Sequence, residues 1–210
     1  MKLESNSKHF NYSDKQKEHL SNNDPLLKEV IEKVGHICRE VEPNIFSSLV
    51  RSIIGQQIST AAQKTIYSRL LELVKEISVQ TIFSLEQNEL QQIGISNRKA
   101  LYIKELATKV VNKEIDLESL RTKSDDDVIK ELISLKGIGI WTAEMTLIFS
   151  LQREDIVSYG DLAIRRGMEK LYKIEKITKK QFDSYRKRYS PYGSVASLYL
   201  WAVASGKWGY

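Results

Sequence analysis

The sequence predicts an all-α protein, on three observations. Apolar residues recur three and four positions apart through most of the chain. No stretch of useful length alternates apolar and polar residues as a half-buried strand would. Glycines, prolines and capping residues fall between the periodic stretches, where helices start and stop. The 210 residues suit one compact domain or two small lobes. Hydrophobic residues at 41% and charged residues at 28% are enough to bury a core and exclude a disordered chain.

The elements follow in order. Asp24-Pro25 places a cap before a proline at the first helical position, and Leu26, Leu27, Val30, Ile31 and Val34 keep helical spacing up to Gly35. Pro43 opens a second helix, with Phe46, Leu49, Val50, Ile53 and Ile54 on its apolar side and an end near Gly55. Ser59 caps a third, leaving Gln56 and Gln57 exposed at a tip between them. Short helices are expected over Val79 to Leu85 and Glu86 to Gln92. A longer one starts at Ser96 and carries Ala100, Ile103, Leu106 and Val110. Ser124 with Asp125, Asp126 and Asp127 makes an acidic first turn leading to Val128, Ile129, Leu132 and Ile133. After Asp161 come helices to about Tyr172, from Thr178 to about Arg188, and from Pro191 to Ser205.

Leu135 to Thr142 reads Leu-Lys-Gly-Ile-Gly-Ile-Trp-Thr. Two glycines flanking one aliphatic residue between helical stretches describe a tight hairpin whose backbone can approach another group closely. A glycine turn feeding a helix N-terminus presents backbone amides and the positive end of a helix dipole, which suits a phosphate. By itself a Gly-x-Gly reads first as an ordinary helix–helix turn. The modest excess of 32 Lys and Arg over 27 Asp and Glu, a net charge of +5, favours a polyanionic partner.

Leu135-Lys-Gly-Ile-Gly-Ile-Trp-Thr-Ala143 resembles the helix-hairpin-helix motif of the HhH-GPD superfamily of base-excision DNA glycosylases, and Asp161, 22 residues beyond Gly139, lies where that superfamily keeps its catalytic aspartate. The alkylated-base (3-methyladenine) glycosylases are the members it resembles most. The resemblance spans about Pro25 to Trp201. It implies two helical lobes: residues 44–157 carrying the hairpin, and residues 1–43 joined to 158–210. It also implies a partner, double-stranded DNA containing alkylated bases, met by a monomer.

The resemblance assigns roles residue by residue. Ile53-Ile-Gly-Gln-Gln-Ile-Ser59 matches the loop these enzymes push into DNA, with Gln57 filling the space of an extruded nucleotide and Gln56 and Ser59 beside it. Lys136, Gly137, Gly139 and Thr142 belong to the phosphate-binding hairpin. Ile93-Gly-Ile-Ser-Asn-Arg-Lys99 matches a second segment near the backbone, which makes Arg98 and Lys99 candidate contacts with Lys104 as the next cation; charge at this density also reads as a solvated helix face. Trp141 matches an aromatic that stacks on a cationic methylated purine, with Tyr159, Tyr192 and Trp201 as further residues of the cleft, of which Trp201 reads more readily as core. Met145 stands where some relatives have a second aromatic, and Lys136 where proline is common.

Glycosidic cleavage builds positive charge on the sugar, so a carboxylate beside it stabilises the transition state. Asp161 is the candidate, and it is equally placed to cap the helix that follows. Asp155 in the same loop does not match the family position. Enzymes that also nick the strand use a lysine amine where this chain has Trp141. Two alternatives stand beside this reading: a glycosylase for other damaged or mismatched bases, and a non-catalytic helix-hairpin-helix DNA-binding module.

Cys38 is the only cysteine, so no internal disulfide or four-cysteine cluster is expected, and His9, His19 and His36 make no metal-ligand spacing. The expectation is no catalytic metal and no cofactor, with a monovalent cation on the hairpin carbonyls implied by resemblance alone. No stretch approaches the roughly 20 apolar residues of a membrane span, and the N-terminus has no apolar core of signal-peptide length. The expected location is cytoplasmic, with the nucleoid in a bacterium, or nuclear in a eukaryote.

Overall fold

In the computed structural model, the described residues are 8–206 and 209. They are helical throughout; the one extended pairing among them is an isolated bridge between His9 and Glu40. Contacts divide the chain into two units, Glu42–Thr146 and Met1–Val41 with Leu147–Tyr210. The boundary at 146/147 falls inside a helix.

The unit formed by Glu42–Thr146 holds α3 (Ile45–Gly55), α4 (Thr60–Val74), α5 (Val79–Ser84), α6 (Gln87–Gln92), α7 (Asn97–Val111), a 3-10 turn (Glu118–Thr122), α8 (Asp125–Ile133) and the start of α9 (Ile140–Phe149). Helix α3 is its spine, because Phe46, Leu49, Val50, Ile53 and Ile54 are all buried, and it packs on α4 and α7. Its cap is Asn44, whose side chain accepts from the Ser47 amide at 2.9 Å, so Pro43 precedes the helix rather than opening it. Ser59 and Ser124 cap α4 and α8 as expected, accepting from Ala62 and Asp127.

The other unit holds α1 (Asp14–Asn23), α2 (Pro25–Val34), α10 (Leu162–Tyr172), α11 (Lys179–Tyr189) and α12 (Gly193–Ser205). Helix α12 is apolar on nearly every side, which explains its central place against α2, α10 and α11. A Cβ on Gly167 would come within 2.2 Å of the Leu200 carbonyl oxygen, so α10 crosses α12 backbone against side chain-free backbone. Asp24 is 1% exposed; one oxygen caps α2 through Leu26 and Leu27, and the other accepts from the Tyr172 hydroxyl at 2.6 Å and Arg188 at 3.2 Å. Burial drives the Tyr172 and Tyr189 hydroxyls well above the ordinary tyrosine range, so this network carries neutral phenols around one carboxylate.

Two elements were not expected. Helix α1 buries only Leu20, too little for an apolar period to register; its one sequence mark is the capping box of Ser13 and Gln16. The 3-10 turn buries only Leu120.

Candidate active site

In the unit formed by Glu42–Thr146, the hairpin glycines turn out to do different things. Gly137 takes φ +83°, and a Cβ there would sit 2.4 Å from the Tyr102 ring. Backbone conformation and packing both require it. Gly139 has no such conformation, and a Cβ there would meet nothing within 4 Å. It accepts from the Ala143 amide at 3.0 Å, which makes it the cap of α9. The Ile140, Trp141 and Thr142 amides then lie in the first turn, where a helix has no internal acceptor to offer. Ile138 turns inward at 6% exposure and Ile140, at the start of α9, outward at 60%. The arrangement suits a phosphate held by main-chain amides.

The neighbouring loop is tied to this hairpin. Gln56, expected at an exposed tip, is half-buried, and its Nε2 donates to the Gly137 carbonyl at 2.6 Å. Lys99 is also corrected from a candidate phosphate contact: its Nζ donates to the Ile54 and Gln56 carbonyls at 2.8 and 2.7 Å, closing the C-terminus of α3. Desolvation lowers its pKa from the ordinary lysine value. Lys104 does the same for α5 through the carbonyls of Ile82 and Phe83. Gln57 alone is left at the tip, exposed and at φ +57°, a conformation uncommon for a residue with a side chain. Ser59 is exposed and its hydroxyl is engaged by the Ala62 amide at 3.2 Å.

Arg98 is exposed and lies 5.9 Å from the centre of the Tyr102 ring, the ring that packs on Gly137. Lys136 is exposed and pairs with Glu105 at 3.0 Å. Thr142 is 5% exposed, so its side chain is closed to any ligand and only its amide bears on the hairpin surface. Trp141 is 47% exposed at the first turn of α9.

In the other unit, Asp161 caps α10. Its Oδ1 accepts from the Ile164 amide at 2.9 Å and from the Trp201 indole N–H at 3.3 Å, and the residue is 7% exposed. Trp201, assigned to the core from sequence, is instead half-buried and holds this carboxylate. Its ring stacks on Phe149 at 5.6 Å, and the Arg39 guanidinium lies 5.0 Å from Phe149. Neither Phe149 nor Arg39 was legible beforehand, since one looks like a helix-end apolar residue and the other like a surface charge.

The remaining candidates have structural neighbours. Tyr159 meets Phe182 edge-on at 5.1 Å, with Arg165 and Lys179 at 5.4 and 5.3 Å from its ring. Tyr192 precedes α12 and meets His19 edge-on at 5.1 Å. Asp155 accepts from Ser190 Oγ at 2.6 Å and the Gly193 amide at 3.1 Å, so it anchors the start of α12. Among the described residues no group of three or more His, Cys, Asp or Glu is placed to hold a metal ion, and no helix is long and apolar enough to cross a membrane.

Residues 50–191 match the family described as HhH-GPD superfamily base excision DNA repair protein, and the chain belongs to that family. It is 30% identical to DNA-3-methyladenine glycosylase 1 of Schizosaccharomyces pombe over 196 residues, covering 89% of this chain and 85% of the relative. The solved DNA-3-methyladenine glycosidase of Bacillus halodurans superposes with a TM-score of 0.84 at 35% identity, covering 94% of this chain and 93% of that one. The Schizosaccharomyces pombe 3-methyladenine DNA glycosylase in complex with abasic DNA superposes with a TM-score of 0.75 at 30% identity, covering 89% and 95%. The chain is a glycosylase of this hydrolase class.

Proposed function

We propose that this glycosylase hydrolyses the N-glycosidic bond of alkylated purines, 3-methyladenine and 7-methylguanine, in double-stranded DNA, as a monofunctional and monomeric enzyme without a cofactor. The observation that carries the proposal is the Asp161 carboxylate, buried and fixed through Oδ1 by a backbone amide and an indole N–H. A carboxylate so held is oriented before the reaction, and it stabilises positive charge as it develops on the deoxyribose. The target nucleotide must leave the stack for the bond to be reached. Gln57 fills the space it leaves, and the α9 amides grip a phosphate. Trp141 stacks on the extruded base, where a ring cation is attracted to the indole face.

Methylation at adenine N3 or guanine N7 already makes the base a good leaving group, so cationic lesions are favoured over neutral ones such as hypoxanthine or 8-oxoguanine. Water is the nucleophile, because Trp141 stands where strand-nicking relatives carry the lysine amine. The enzyme works wherever the genome lies, in the cytoplasm with the nucleoid or in a nucleus. The test is release of free base from methylated DNA by wild type and Asp161→Asn. Near-complete loss of release, with abasic-DNA affinity retained, is expected; equal release by the two proteins would remove Asp161 from the mechanism, and no release by either would favour the DNA-binding module.

A further inference from the structure

The charge of the molecule is distributed in an unexpected way. The unit that carries the hairpin, Glu42–Thr146, has 13 Lys and Arg against 14 Asp and Glu, so it is very slightly acidic. Residues 162–190, which are α10, α11 and the turn between them, have ten Lys and Arg against three Asp and Glu. The other 181 positions hold 22 and 24. The whole positive excess of the protein therefore lies in one helix–turn–helix stretch of the other unit.

Most of these cations reach solvent, although Lys170 also donates to the Val203 and Ala204 carbonyls and Arg186 to that of Asp155. All but Arg165 are exposed. Arg166, Lys170 and Lys173 fall at i, i+4 and i+7 of α10, and they line one open groove. Lys176 lies in the turn, and Lys180 and Lys187 share one face of α11 at i and i+7. Among the described residues Arg166, Lys173, Lys176, Lys180 and Lys187 make no ion pair, whereas Lys179 is paired with Asp183 and Arg188 with Asp24. Of the three acids, Glu169 is turned to the Ile177 amide at 3.0 Å and Asp183 is taken by Lys179, which leaves Glu175. A merely solvated face mixes both signs, and like charges four apart on a helix repel. A face with ten cations against three acids, two of which, Glu169 and Glu175, lie in the groove, gains by meeting a polyanion.

We infer that the basic face of α10 and α11 is a second nucleic-acid contact, one that holds duplex DNA by its phosphates and supplies most of the salt-dependent, sequence-independent affinity. Main-chain amides at the hairpin position one phosphate without displacing many counterions, and a unit with no net positive charge offers little long-range attraction. The α10–α11 face supplies both. The partner is taken from the glycosylase reading above; the charge distribution is independent of it.

The test is equilibrium binding of an undamaged duplex against potassium chloride concentration, for wild type and for the combined variant Lys173→Gln, Lys176→Gln, Lys180→Gln, Lys187→Gln. Each lost phosphate contact lowers the slope of log affinity against log salt by about 0.9, so a fall of roughly 3 is expected. The same four positions changed to Arg should keep the wild-type slope, and thermal melting of the Gln variant should match wild type or exceed it, which separates lost charge from lost fold. A wild-type slope in the Gln variant overturns the inference, as does a slope that falls on single-stranded RNA but not on duplex DNA. Failure of the glycosylase reading would appear instead as no base release from methylated DNA, with the slopes still differing.

Discussion

The two hairpin glycines offer a sharp test, because the fold requires one and leaves room beside the other, where the proposed function puts a phosphate. Gly137→Ala forces a side chain into the left-handed region, at about 1–2 kcal/mol, and drives a methyl group to 2.4 Å from Tyr102, where overpacking adds about 1–3 kcal/mol. A total near 3 kcal/mol corresponds to a fall in melting temperature on the order of 10 °C for a chain of this size. Gly139→Ala meets no atom and needs no unusual backbone, and the modest penalty for alanine at a cap is offset by reduced freedom of the unfolded chain, so its stability should stay within about 0.5 kcal/mol of wild type. Its new methyl group instead stands where a phosphate must come up to the α9 amides. Losing one charge-assisted hydrogen bond is worth about 1.5–3 kcal/mol, a weakening of duplex binding by roughly ten- to a hundredfold. Thermal melting and duplex titration of both variants read the contrast. Duplex binding by Gly139→Ala within twofold of wild type would refute the phosphate role of the hairpin amides.

Further outcomes follow from the same geometry. Gln57→Ala should weaken binding to abasic DNA more than to undamaged duplex, since the loop tip engages only a displaced nucleotide; an equal loss on both DNAs makes Gln57 a backbone contact. The product strand should remain intact until alkali or heat breaks it, and borohydride should trap no protein–DNA adduct; a trapped adduct overturns the monofunctional assignment. Trp201→Phe keeps a ring to stack on Phe149 but removes the donor to Asp161. Single-turnover base release should fall about tenfold, the value of one hydrogen bond to a charged group, with abasic-DNA affinity within twofold; an unchanged rate shows that the indole N–H does not position the carboxylate.

The helices were legible where their apolar faces are deep. Helices α2, α3, α7 and α10 bury three or more periodic side chains each and carry recognisable caps, so spacing alone placed them. Helix α1 was missed because a single buried leucine leaves no period to read. The site followed the same rule in another form. Asp161 was marked as catalytic by its place in the resemblance, 22 residues beyond Gly139, and as a cap by the local pattern of a carboxylate before an apolar period; the glycine spacing of the hairpin is local too. Gln56 and Lys99 were misplaced because their partners lie 81 and 43–45 residues away, and a sequence shows a lysine without showing that carbonyls at the end of another helix claim it. Trp201 was given to the core for the same reason, its bond to Asp161 spanning 40 residues.

The bonds of Gln56 and Lys99 also say how the loop and the hairpin work as one piece. The carbonyl of Gln56 is held by Lys99, and its side chain is held by the Gly137 carbonyl, so the residue before the tip is fixed at both ends. Gly137 is itself fixed by Tyr102, and Tyr102 and Lys99 both stand on α7. Helix α7 thus serves as the common frame on which the end of α3 and the start of α9 are set. Movement of Gln57 relative to the hairpin amides would require breaking short bonds in a half-buried place, where an unmade bond costs more than in water. If the proposed function holds, a phosphate at Gly139 therefore fixes where Gln57 stands along the duplex, and the insertion of one glutamine is aimed by main-chain contacts that read no base.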